Sequence, residues 1–173
     1  MALSLDTHPT KSILIPCSIG NHGRTTKRMR KTTAYGHSWE WFLYQLIGQD
    51  FRDDDRVQVH ATKDDMQYVD VLDFKLAFHH GHNIRYQGGL GGITVPAIKA
   101  VYRWEQWRDC DYYHFGHFHQ RFDLGQIAFN GSVIGPNAYA LSIGATPRRP
   151  EQSIYVLDAK RGKTMACPIW VEE

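Results

Sequence analysis

Cysteine is scarce in this chain. The three in 173 residues, Cys17, Cys110 and Cys167, stand far apart and form no CxxC pair. That excludes a thiolate zinc site and a disulfide framework, and leaves the reduced, partly buried thiols of a cytosolic protein. Charge of one sign is also lacking: 20 Lys plus Arg against 18 Asp plus Glu give 20 − 18 = +2, so bulk charge is no argument for nucleic acid. No stretch approaches the roughly 18 apolar residues that a membrane span needs. The start, MALSLDTHPTK, has no basic segment followed by an apolar run, so nothing marks the chain for export and a cytoplasmic location is expected. Repeats, low-complexity tracts and linkers are absent too, and the length suits one domain spanning residues 1–173. What is plentiful is aromatic and histidine side chains. Aromatics make up 13% of the residues, too many for a disordered chain, and ten histidines invite a search for metal or proton chemistry.

The hydropathy pattern alternates short strands with two helices. Residues 12–17 (SILIPC) read as a buried strand leading into Ser18-Ile19-Gly20-Asn21-His22-Gly23, and residues 38–47 (SWEWFLYQLI) read as a helix. Its aromatics Trp39, Trp41, Phe42 and Tyr44 are spaced for core packing rather than for stacking bases. Residues 57–61 and 67–71 look like two strands paired across the acidic turn Lys63-Asp64-Asp65. Residues 74–78 form another, running into His79-His80-Gly81-His82. The glycine-rich loop Gly88 to Gly92 lacks the Lys-Ser/Thr of a nucleotide-binding loop and reads as a lid or turn, with Thr94 as N-cap of a helix to about Trp107. Residues 111–115 (DYYHF) are a strand ending at Gly116-His117-Phe118-His119. The remainder reads as strands at 126–129, 153–157 and 164–171 separated by turns.

Three histidine clusters therefore follow predicted strands: Gly20-Asn21-His22, His79-His80-Gly81-His82, and His114 with Gly116-His117-Phe118-His119. Strands that end on one side of a sheet deliver their loops to one crevice, so clusters far apart in sequence can share a site. Glycine beside each cluster permits close backbone approach. Imidazoles with one amide oxygen suit zinc, manganese or iron better than calcium. His8, His37 and His60 stand alone and read as ordinary surface or core residues.

In this order, Gly-Asn-His, His-Gly and Gly-His-x-His resemble the calcineurin-like metallophosphoesterase family over roughly residues 12 to 135, with a flavour like its phage and bacterial Mre11-type or SbcD-type DNA nucleases. The resemblance implies an αββα arrangement of two packed sheets with flanking helices. It implies Asn21, His80 and His117 as ligands of one divalent metal (Mn, Zn or Fe) and His119 as a ligand of a second. It also implies His22 as the catalytic histidine that protonates the leaving oxygen. Arg24 and Lys27, in the basic run Arg24 to Lys31, would hold a phosphodiester, with Arg103, Arg108, Arg148 and Arg149 available elsewhere. His82 is open between a role near the site and a surface role, and Asn130-Gly131-Ser132 is a structural turn.

The chain departs from the family pattern in three places. It contains no Gly-Asp pair, so the family's bridging aspartate has no candidate and the second metal site is incomplete. Asp6-Thr7-His8 spells DxH, but only 11 residues separate His8 from Gly20, too few for the strand, helix and strand the family places there, so it reads as a chance match. Gly23 and Arg24 follow Gly-Asn-His where the family has an acid. The expectation is a metallophosphoesterase domain lacking its first strands: a phosphodiesterase or nuclease, completed by an N-terminal segment or a second copy at the open edge. The alternative is an inactive remnant acting as a metal- or DNA-binding partner.

Overall fold

The computed structural model describes residues 11–86, 91–142 and 144–171. Asp6, His8 and the Gln87 to Leu90 part of the glycine-rich loop lie outside them. The chain divides into two compact units, residues 1–67 and 68–173.

In the first unit, β1 (Ile13–Pro16) pairs in parallel with β2 (Val57–His60), from Ile13↔Val57 to Pro16↔His60. Parallel neighbours need a crossover, and α1 (Trp39–Asp50) supplies it. Ser38 caps this helix by accepting from the Trp41 N–H at 3.3 Å, and Glu40 places a negative charge in the first turn. The strand expected at 57–61 does not pair with the one at 67–71. Instead the buried Gln67 side chain fills the turn between them, bonding Thr62 and the Asp64 carbonyl, and the chain passes on to another sheet. The α1 aromatics also differ from expectation. No α1 residue is buried, and Trp39 and Phe42 are 67% and 53% exposed, because a helix apolar on most sides offers more surface than a two-stranded sheet can cover.

The second unit is built on a five-stranded sheet in the order β3 (Gln67–Val71), β4 (Phe74–His79), β5 (Tyr112–Phe115), β7 (Ile127–Phe129), β6 (Phe122–Asp123). β4 and β5 run parallel, with α2 (Thr94–Glu105) as their crossover. Thr94 is the first helical residue of α2 rather than its cap. Ile93 stands at the cap with helical backbone and no side-chain bond, and Gly91 and Gly92, both at positive φ, make the turn before it.

Side chains alternate across β5, so the sheet has two different covers. On one side His79 and Phe115 meet Trp104 of α2, at ring separations of 5.4 and 5.6 Å. On the other, His114 meets Tyr155 of β8 (Glu151–Asp158), which pairs with β9 (Gly162–Trp170) in an antiparallel ribbon. Helix, sheet and ribbon form three layers, in keeping with the α/β class. Asn130 links sheet to ribbon: its Oδ1 accepts from the Ser153 N–H at 2.8 Å and its Nδ2 donates to Gln152 at 2.5 Å. The turn read as structural does that work. The sequence pattern gave no sign of β6 or of the short α3 (Ala138–Ser142), each too brief to show a period.

Candidate metal centre

β4 ends at His79 and β5 at Phe115, which are register partners, so the loops after them leave the sheet side by side. The Gly116 N–H donates to the His80 carbonyl at 3.0 Å and carries the ladder one step past the strands. Gly81 then turns away at φ 104. A Cβ there would lie 3.1 Å from the Gly116 carbonyl oxygen and 3.2 Å from the His117 Cβ, so only glycine lets the two loops come this close. The opposing bend is held by Phe118, whose N–H donates to the Gly116 carbonyl and whose ring sits 5.5 Å from Phe129. His117 and His119, on either side, adopt left-handed backbone at φ 69 and 55.

These constraints bring the His117 Nδ1 to 3.3 Å from the His80 Nε2. Two nitrogens sharing a tetrahedral ion at bonds of about 2.0–2.1 Å are about 3.3 Å apart, so the pair has the edge of a zinc-type site. The same distance serves an imidazole–imidazole hydrogen bond, and imidazole nitrogens so spaced would suit a divalent cation. Replacing Gly81 by alanine is expected to cost about 2–4 kcal/mol, part from the positive φ and part from the contact with the opposing loop. Gly125→Ala is the control, since Gly125 shares the positive φ (81) but has nothing within 4 Å. Equal losses in urea denaturation would show that the loops do not pack as described.

Beside the pair, His79 is buried and fully oriented. Its Nδ1 accepts from the Gly81 N–H at 2.8 Å, which makes Nε2 the protonated nitrogen of the neutral ring. The Asn83 Nδ2 stands 3.4 Å from that nitrogen, and an Nε2–H would call for the amide turned over so that its oxygen accepts. His82 stacks on His79 at 5.1 Å and stands 5.7 Å from the His80 ring. The sequence signal for His79 is its place beside the motif, while its bond to the Gly81 N–H comes only with the fold. His119 lies in the same bend as His117.

The first unit holds the other expected residues. After β1, Asn21 and exposed His22 sit on a loop tied to the start of α1: Trp39 N–H donates to the Gly23 carbonyl at 2.8 Å and Thr25 N–H to the His37 carbonyl at 2.9 Å. The Glu40 carboxylate accepts from the Gly20 N–H, and the Arg24 guanidinium donates to the Asn21 carbonyl. A Cβ on Gly23 would lie 2.6 Å from the Glu40 Cγ. This carboxylate reaches the loop from the helix, 20 positions on in sequence, where no spacing rule would find it. The Tyr44 phenol donates to the Ser18 carbonyl at 3.1 Å, and burial, with Glu40 nearby, pushes it up to about 12. Lys27 is exposed with Arg28, Arg30 and Lys31.

His114 does not join its cluster. It lies against Phe78 at 4.8 Å and Tyr155 at 5.3 Å, on the ribbon side of β5. Burial, helped by Lys163 and opposed by Asp123, pushes its imidazole down to about 4, so the folded chain keeps it neutral. The unfolded chain binds a proton there from about pH 6.5 downward, and the fold does not until about pH 4. Stability is therefore full above pH 6.5 and falls through that window, by about 3 kcal/mol for this group. His114→Phe is expected to flatten the dependence in denaturation measured between pH 7 and 4, and an unchanged slope would assign it to other groups.

No protein-family model matches the chain, and no curated protein matches it. Among solved structures it is similar to a single mutant of Vps29 from Entamoeba histolytica, at 15% identity and TM-score 0.42, covering 62% of this chain and 61% of that one. It is also similar to wild-type Vps29 from that organism complexed with zinc, at 13% identity and TM-score 0.44, covering 92% and 98%. A third is a predicted phosphoesterase from Streptococcus pneumoniae, at 14% identity and TM-score 0.38, covering 91% and 96%. No helix among the described residues is long and apolar enough to cross a membrane.

Proposed function

We propose that the chain is a divalent-metal-dependent phosphoesterase acting on phosphodiesters of nucleic acid. The observation that carries this is the His80–His117 pair, two imidazole nitrogens at the spacing a shared ion requires, on loops leaving adjacent parallel strands. When bound, the ion would supply Lewis acidity toward a phosphoryl oxygen and lower the pKa of water. The chain's part is to hold that ion through His80 and His117 and to keep His80 in place through its carbonyl bond to Gly116. His119 as ligand of a second ion, Asn21 as ligand, His22 as proton donor to the leaving oxygen, and Arg24 and Lys27 as phosphate contacts belong to the same proposal. So does the finer likeness to Mre11-type and SbcD-type nucleases. The exposed basic run supports a polyanionic substrate, and binding to DNA should weaken steeply with salt.

The test is hydrolysis of bis-p-nitrophenyl phosphate and of single-stranded DNA in manganese or zinc. Turnover that needs metal and falls at least about 100-fold in His22→Asn is expected. Turnover indifferent to chelator would overturn the reading. The absence of any Gly-Asp pair favours a second reading, a non-catalytic metal- or DNA-binding partner, and metal bound without turnover would establish it.

A further inference from the structure

A cleft of about 480 Å³ opens in the second unit between the segment after His82 and one face of α2. One wall is Asn83, Ile84 and Arg85; the other carries Val95, Pro96, Lys99, Ala100, Arg103 and Trp104. Its volume is in the range of small-molecule sites. Among the described residues three cations line it, Arg85, Lys99 and Arg103, and no carboxylate does. Lys99 and Arg103 stand one helical turn apart, and the Arg103 Nε donates to the Lys99 carbonyl at 3.0 Å, which fixes the guanidinium along that face. Cations converging on one cleft are the electrostatic arrangement that an anion satisfies. The rest of that wall is different in kind: Trp104 contributes an aromatic ring, and Val95, Pro96 and Ala100 add apolar surface.

The cleft also adjoins the histidine cluster. Asn83 lies against the His79 imidazole, and Trp104 is 5.4 Å from the same ring, so residues that line the cleft also pack around the histidines.

We propose that this cleft binds a nucleotide unit, its phosphate held by Arg85, Lys99 and Arg103 and its base laid against Trp104. A cationic rim suits the phosphate, Arg above all because its planar fork can bond two oxygens at once. An aromatic and apolar wall suits a base of any identity, since every base has a π-face. The inference rests on the phosphoesterase reading only for its meaning, because it makes the cleft the place where one nucleotide of the substrate is gripped. Binding itself needs no metal.

The experiment is therefore done on the full chain in EDTA, by fluorescence anisotropy with a labelled hexadeoxynucleotide and by calorimetry with deoxyadenosine monophosphate and inorganic phosphate. The double variant Lys99→Glu/Arg103→Glu, both positions exposed on the helix surface, is expected to weaken nucleotide binding at least 10-fold with an unchanged circular dichroism spectrum. Trp104→Phe, which keeps a ring, should weaken the nucleotide several-fold and leave inorganic phosphate unaffected. Binding of the monophosphate assigns the cleft to free nucleotides, and binding of the oligonucleotide alone assigns it to a strand. Nucleotide affinity unchanged by the double charge reversal, or equal to that of inorganic phosphate, would overturn the proposal. Loss of binding in the double variant without any turnover by the wild type would retain the cleft and discard the phosphoesterase reading.

Discussion

Replacing His117 by alanine is expected to lower the affinity for zinc or manganese by at least about 100-fold, because even residues that only orient metal ligands cost 10–100-fold when removed. The His80 Nε2 is 3.3 Å from the His117 Nδ1, and without that second nitrogen the remaining imidazole holds one edge position of a site that needs several. The fold should survive. The strands on either side are unaffected, and alanine at φ 69 carries a backbone cost of about 1–2 kcal/mol much as histidine does. Competition against a chromophoric chelator measures the loss, with circular dichroism checking the fold. Affinity within about threefold of wild type would mean that the pair is not a ligand pair.

Lys163→Ala is expected to destabilise the second unit by about 3–5 kcal/mol, the usual cost of leaving half of a buried ion pair behind. The Lys163 ammonium donates to both carboxylate oxygens of Asp123 at 2.8 Å, with the two side chains 10% and 19% exposed. It also stands 4.9 Å over the Tyr155 ring and 5.6 Å over Tyr112, and its backbone N–H donates to the Tyr112 hydroxyl. Lysine 163 therefore joins the ribbon to the edge strand β6 and to β5 at once. Removing the amine strands a nearly buried carboxylate. The companion double variant Lys163→Met/Asp123→Asn should recover most of the loss, since it leaves no orphaned charge. Denaturant midpoints for the three proteins decide it, and a loss below about 1 kcal/mol for Lys163→Ala would show the pair to be solvated.

Much of this was legible in the sequence, for identifiable reasons. β1, β4, β5 and both long helices announce themselves through apolar runs and periodicity, and the loops carrying His80 and His117 follow from glycine and histidine placed after those strands. Pairing is harder to read: residues 57–61 look like partners of 67–71, but the strand there, Val57–His60, lies beside β1, because parallel partners are chosen by a crossover and leave no local turn signature. His114 stands with its motif neighbours in sequence, yet strand alternation sends it to the far side of β5. Glu40 was invisible as a support for the Gly20–Gly23 loop, since its contact spans about 20 positions. The cleft on α2 was hidden similarly. Arg85 and Arg103 are unremarkable surface residues until the crossover lays the helix beside the loop.

The central claim is that His80 and His117 bind one ion together, and X-ray absorption at the zinc edge of the zinc-loaded chain tests it most directly. The expected spectrum shows a shell containing at least two imidazole nitrogens at about 2.0–2.1 Å, with the outer-shell scattering of the rings reduced in His117→Ala. A shell of oxygen alone, or zinc that washes off the wild-type chain, would contradict it.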